Sequence, residues 1–260
     1  MITNLFAENF AHPWGVLHIL SIVVLVASCA GVIILAPRLK ASKNSHLIML
    51  ITVSTMFLLF EAGKQIIRIS DGIYPEYWWA DFPVVPCSIF MYITVSSIFF
   101  RNKPKVVDTI YLLLATYGLF SGIAVYAYPN VALGTAYAFI TIQSFTHHGL
   151  LVFVGVYLFT TGHAKLEYKT FLHAILFFIM ICILAIIINL IVHLSTSIEI
   201  NMMFINPWIP SNIPILKDLL PKNFFLAIVL YILAYTALAA VVFGVALLIK
   251  RYVETIHNAQ

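Results

Sequence analysis

Residues 15–35 read GVLHILSIVVLVASCAGVIIL, a run without a single Asp, Glu, Lys or Arg. Its length is about that of the roughly 20 residues an α-helix needs to cross a ~30 Å hydrocarbon core at ~1.5 Å per residue. Comparable apolar runs recur at 46–69, 82–100, 106–128, 133–160, 170–193 and 223–248. Of the 260 residues, 62% are hydrophobic and 9% charged, too little polar surface to solvate a water-soluble globule. The sequence therefore predicts an all-α, polytopic integral membrane protein with seven transmembrane helices, residues 1–260 forming a single transmembrane domain. Met1 to Pro13 carries Glu8 as its only charge. The basic start of a signal peptide is missing, so the first run is expected to remain as a span.

The basic residues predict the orientation. Arg38, Lys40 and Lys43 follow the first run, Arg101, Lys103 and Lys105 the third, Lys165 and Lys169 the fifth, and Lys250 and Arg251 the last. The other loops hold Lys217 and Lys222. The positive-inside rule then places the N-terminus outside and the C-terminus in the cytosol. All four tryptophans, Trp14, Trp78, Trp79 and Trp208, fall on the outer side, where indole rings favour the headgroup layer. The net charge of +4 thus reports topology and contact with anionic headgroups. No nucleic-acid motif, phosphate loop or internal repeat is present. The three cysteines, Cys29, Cys87 and Cys182, all lie in apolar runs, which argues against a secreted-type disulfide framework.

Ionisable groups inside lipid are costly unless they face a bundle interior or a wet cavity, so their positions point to function. Glu61, Lys64, Gln65 and Arg68 recur at i, i+3, i+4 and i+7, one stripe on the outer half of the second helix. They read either as a structural Glu–Lys pair with Arg68 reaching the surface, or as the electrostatic wall of a site. The third span begins Asp81-Phe82-Pro83-Val84-Val85-Pro86-Cys87, where Pro86 suits the first helical position and Cys87 the first turn. Irregular backbone below the outer surface is tolerated only against protein or a water-lined cavity. A thiol at a helix N-terminus, with Lys64 at similar depth, is favoured as thiolate. Cys29 and Cys182 lack such a setting and read as small hydrophobes.

The fifth span carries Gln143, Ser144, His147 and His148 near mid-membrane. Adjacent histidines point about 100° apart on a helix, so one is expected to face a reactive partner while the other bonds within the packing. Asn189 and His193 form a further i, i+4 pair and read as cavity lining. Asn206-Pro-Trp-Ile-Pro-Ser-Asn-Ile-Pro, with Asn201 before it, is the one long loop with turn chemistry and is expected to be an ordered outer lid. Cys87 with His147 or His148 permits nucleophilic catalysis, in which an imidazole takes the thiol proton and the thiolate attacks an ester. Backbone N–H groups at the start of the third span are candidates to stabilise the oxyanion. By helical rise His148 lies deeper than Cys87, so a contact requires tilt or a broken start to the third span.

At these residues the chain resembles the YwaF family of bacterial integral membrane proteins. More distantly, it is similar to eukaryotic transmembrane acyltransferases that place polyunsaturated chains on ether phospholipids. The resemblance rests on Glu61 to Lys64, on Pro86-Cys87, on His148-Gly149-Leu150-Leu151 and on the Pro-Trp-Ile-Pro after Asn206. The eukaryotic branch reads Asn-Pro-Cys-His where this chain has Val85-Pro86-Cys87-Ser88. The resemblance implies Cys87 and His148 as a catalytic pair, membrane lipids as substrates, and residence in the bacterial plasma membrane. No metal or other cofactor is implied, and the oligomeric state is left open. The competing reading is a proton- or ion-coupled transporter that uses Glu61, Lys64 and the intramembrane histidines as a relay. A b-type haem site would need histidines at equal depth on two helices. A retinal Schiff base lacks a mid-membrane lysine in the last span.

Overall fold

The computed structural model describes residues 12–42, 44–70, 85–133, 138–196, 200–209, 211 and 213–258. Among these residues all the regular secondary structure is helical, and there are no strands. In chain order the helices are α1 (Val16–Ala41), α2 (Ser45–Ser70), α3 (Ser88–Phe99), α4 (Pro104–Leu113), α5 (Leu119–Ala127), α6 (Asn130–Leu133), α7 (Ala138–Thr160), α8 (Tyr168–Ser195), α9 (Pro214–Leu219) and α10 (Phe224–Asn258). A π-helical turn, Leu114–Gly118, joins α4 to α5, and a 3₁₀ turn, Met202–Phe204, follows α8. Among the described residues, six helical stretches are long and apolar enough to cross a membrane: α1, α2, the α4–π–α5 run, α7, α8 and α10. The protein is a multi-pass membrane protein.

The expected boundaries shift in instructive ways. Helix α3 has 12 residues, which at ~1.5 Å per residue cover about 18 Å, less than a bilayer core. Residues 82–84 of that expected span, and Trp78 and Trp79 before it, lie outside the described residues. Pro86 is not the first helical residue, because Cys87 caps α3. The turn before it is nevertheless closed, by the Ile89 N–H donating to the Val85 carbonyl at 3.2 Å. Pro86 sits inside this turn, where its missing N–H costs nothing. The expected fifth span, 133–160, is split: the short α6 precedes α7, which begins at Ala138. Arg38 and Lys40 are not in a loop but on the last turn of α1, where cations complement the helix dipole. Lys250 and Arg251 likewise sit on α10, which runs on to Asn258.

Burial separates central from peripheral helices. In the most apolar window of the α4–π–α5 run 72% of residues are buried, and in that of α7 56%, against 6% for α1 and 11% for α10. Apolar side chains turned outward, such as Ile34 and Phe225, meet lipid tails, which need no burial from protein. Helix α7 packs on α1, α2, α5 and the π turn, and the π turn also touches α3 and α10. Glycines allow the closest approach. A Cβ on Gly155 would meet the Leu119 side chain at 2.6 Å, so α5 and α7 lie nearly backbone to backbone.

Candidate functional site

Cys87 stands at the N-cap of α3, half-buried against the central hydrophobic core. Two consecutive residues of α7 reach it differently. His147 turns its Nε2 to the Cys87 main-chain carbonyl at 3.4 Å and rests its ring edge-on against Phe57, 5.0 Å between centroids. His148 interacts with the Cys87 thiol itself. The His148 Nδ1 donates to the Ser144 carbonyl at 2.7 Å, because a carbonyl can only accept. In the neutral ring Nε2 then carries the lone pair. That atom is buried and makes no hydrogen bond of ordinary geometry. A base with a free lone pair thus lies within range of a thiol. The ~100° between neighbouring helical residues accounts for the division, one ring on the backbone and one on the sulfur.

The acidic-basic stripe of α2 lines the same region. Glu61 is buried, pairs with Lys64 at 2.8 Å, and accepts from Gln65 at 2.8 Å and from Gln143 of α7 at 3.4 Å. Its carboxylate is therefore satisfied on both oxygens, as a charge at this depth requires. Lys64 also lies in electrostatic range of His147 and His148, and Glu61 in that of Tyr92 on α3. Arg68 is half-buried at the far end of the stripe. The structure so brings Glu61, Lys64, Cys87, Gln143, Ser144, His147 and His148 to one junction of α2, α3 and α7.

Asn189, His193 and Asn206 are engaged elsewhere. The Asn189 amide clamps one residue of the loop, accepting from the Met202 N–H at 2.9 Å and donating to the Met202 carbonyl at 3.1 Å. His193 stacks on Trp208 at 3.9 Å with 8° between the rings. Asn206 donates to the Ile200 carbonyl at 2.6 Å and accepts from the Trp208 N–H at 2.9 Å, while its own N–H bonds Asn201. These amides hold the loop's own backbone, with Met203 and Phe204 both at positive φ, rather than lining a cavity beside Cys87. These bonds hold the loop's backbone over 200–209; Pro210 and Asn212 lie outside the described residues.

Two tyrosines of α10 near the thiol carry no obvious sequence signal. Tyr231 and Tyr235, at i, i+4, both lie in electrostatic range of Cys87, and their rings approach to 4.7 Å. Tyrosine in an apolar run reads as ordinary core, and only tertiary structure brings this pair within electrostatic range of Cys87. A separate crevice of about 600 Å³ opens between α1, α2 and α7. It is lined almost wholly by hydrocarbon, and neither Cys87 nor His148 reaches it. Among the described residues no group of three or more His, Cys, Asp or Glu is arranged to hold a metal.

No curated protein and no solved structure matches the chain. Residues 10–248 match the TMEM164 family, a family of transmembrane proteins, and the chain belongs to it.

Proposed function

We propose that this protein is a lipid acyltransferase or lipid hydrolase of the cell membrane that works through a Cys87 thioester, with His148 as general base. In the first half-reaction His148 Nε2 takes the thiol proton, and the thiolate attacks the carbonyl carbon of a membrane lipid ester. The tetrahedral intermediate collapses, and the departing alcohol takes the proton back from His148. In the second half-reaction a hydroxyl, from another lipid or from water, gives its proton to His148 and attacks the thioester. The new ester or acid leaves, and Cys87 regains its proton. Lys64 and Glu61 tune the field around the imidazole, and backbone N–H groups at the start of α3 are available to the oxyanion.

The observation that carries this reading is the buried His148 Nε2 lone pair facing the Cys87 thiol, with the tautomer set by Ser144. The resemblance of Pro86-Cys87 and His148-Gly149 to the YwaF proteins and the ether-phospholipid acyltransferases points the same way. In this reading α3 is the inner part of a seventh crossing, the N-terminus lies outside and the C-terminus in the cytosol. Arg38, Lys40, Lys103, Lys105, Lys165 and Lys250 then share the cytosolic side, and the Asn206 loop forms the outer lid. The test is a covalent adduct. Purified protein incubated with a thioester lipid probe is expected to label at Cys87, and labelling that survives Cys87→Ala unchanged would sink the assignment.

A further inference from the structure

The crevice between α1, α2 and α7 lies outside the thiol mechanism, yet two of its walls belong to helices that build the Cys87 junction. On α7, Thr146 and Gly149 face the crevice, while His147 between them bonds the Cys87 carbonyl. On α2, Val53 and Met56 face the crevice, and Phe57, next in the chain, turns its buried ring to His147 at 5.0 Å. The same pair of helices thus presents a polar junction on one face and a hydrocarbon crevice on another.

The depth of the crevice is that of one leaflet. Along α1 it runs from Leu17 to Ser28 and along α7 from Ile142 to Phe153, each about 16 Å at ~1.5 Å per residue, against roughly 15 Å for half of a ~30 Å bilayer core. It occupies the half of the membrane at the N-terminal end of α1, where the exposed Trp14 suits the headgroup layer. Its volume of about 600 Å³ is that of a small-ligand site.

The lining selects hydrocarbon. None of its side chains is charged, and three of its five hydroxyls are spent on main-chain carbonyls: Ser21 on His18 at 2.7 Å, Ser28 on Val24 at 2.7 Å and Tyr126 on Phe145 at 2.9 Å. A headgroup or a free carboxylate would bury charge there without a partner, and water would find too few partners to fill it. The Leu17 end is also fixed in shape. Phe145 stacks on His18 at 5.4 Å, and the buried His18 ring accepts from the Trp14 N–H at 3.1 Å and donates to the Tyr126 carbonyl at 3.1 Å. Helices α1 and α2 pack on α7 more than on each other, which leaves the crevice open sideways to lipid.

We infer that this crevice is a binding site for one acyl chain of a membrane phospholipid, which enters sideways between α1 and α2 and keeps its headgroup at the level of Trp14. Lipid is as apolar as the crevice, so the chain is held by van der Waals contact on three walls, and its binding depends on shape. The site needs no chemistry at Cys87.

The test uses the full-length protein in nanodiscs that contain a phosphatidylcholine with a photoreactive diazirine midway along one palmitoyl chain. After irradiation, peptide mass spectrometry is expected to find adducts concentrated on the crevice faces of α1, α2 and α7, in excess over lipid-facing residues such as Ile34 and Phe225. Val24→Trp and Thr52→Trp fill the crevice from two walls and should lower these adducts about ten-fold. Val23→Trp and Ile51→Trp, at the neighbouring exposed positions that do not line it, should leave them as in wild type. Cys87→Ala should also label as wild type does. Wild-type adducts spread evenly over the lipid-facing helices, undiminished adducts in the filling variants, or an equal fall in their neighbours overturns the inference. So does stronger crevice labelling by a diazirine-bearing free fatty acid, or loss of the adducts in Cys87→Ala, which would place the chain at the thiol instead.

Discussion

Gly122 of α5 lies directly against the main chain of His148: a Cβ placed on it would stand 2.5 Å from the His148 carbonyl oxygen and 2.7 Å from Val152 Cγ2. The neighbour that would have to yield is helical backbone, not the tip of a flexible side chain. Gly122→Ala is therefore expected to push α7 outward and draw the imidazole away from Cys87. Overpacking of this kind costs about 1–3 kcal/mol. Thermal unfolding of the purified variant should show a lowered Tm, and probe labelling of Cys87 should fall. Gly31→Ala, with nothing within 4 Å of the added Cβ, serves as the control and should leave both unchanged.

Glu61 and Lys64 form a buried pair whose value lies in mutual compensation. Glu61→Gln leaves the ammonium without its carboxylate, and Lys64→Met leaves the carboxylate to its amide donors, Gln65 and Gln143. Breaking one partner of a buried pair typically costs about 3–5 kcal/mol, whereas removing both is far milder. The double variant Glu61→Gln/Lys64→Met is accordingly expected to be more stable than either single one. A double-mutant cycle on denaturant unfolding measures this, and additive losses would show that the pair is not coupled.

Asn189 has the same logic in neutral form. Its amide satisfies both main-chain groups of Met202, a residue only 8% exposed. Asn189→Leu keeps the branched shape of the side chain and orphans a buried N–H and C=O, each costing about 1–3 kcal/mol when unsatisfied. Hydrogen exchange over residues 200–209 should accelerate markedly in this variant, while exchange in the interior of α7 stays as in wild type. Unchanged loop protection would mean that the amide clamp does not hold the loop.

The membrane architecture was legible because an unbroken apolar run of helical length has one stable solution in lipid, as in residues 15–35. The junction of Glu61, Cys87 and the histidines was legible for the converse reason: polar groups at that depth need partners, and the structure supplies them. What periodicity cannot supply is the identity of a partner. Asn189 and His193 share a face, as their spacing requires, yet that face meets a loop and not a cavity. Tyr231 and Tyr235 also share a face, but only the packing of α10 on the π turn brings them within electrostatic range of Cys87. The π turn itself, LATYG, contains no proline or charge that would announce it.

His163, in the loop between α7 and α8, couples this end of the bundle to pH. Its ring stacks on His46 of α2 at 3.6 Å, and Tyr111 of α4 and Tyr157 of α7 hold both nitrogens of His46. Burial, and secondly the nearby Lys40 at the end of α1, hold the His163 imidazole below its ordinary value of about 6.5. On acidification through about 6.5 the unfolded chain takes up this proton before the folded one does. The contribution is complete above that pH and declines below it, toward the lowered folded value. The Tm of the purified protein is therefore expected to drop as pH falls from 7 to 5, and His163→Gln should reduce the slope of that drop. A slope identical in wild type and His163→Gln would mean that the acid sensitivity arises elsewhere.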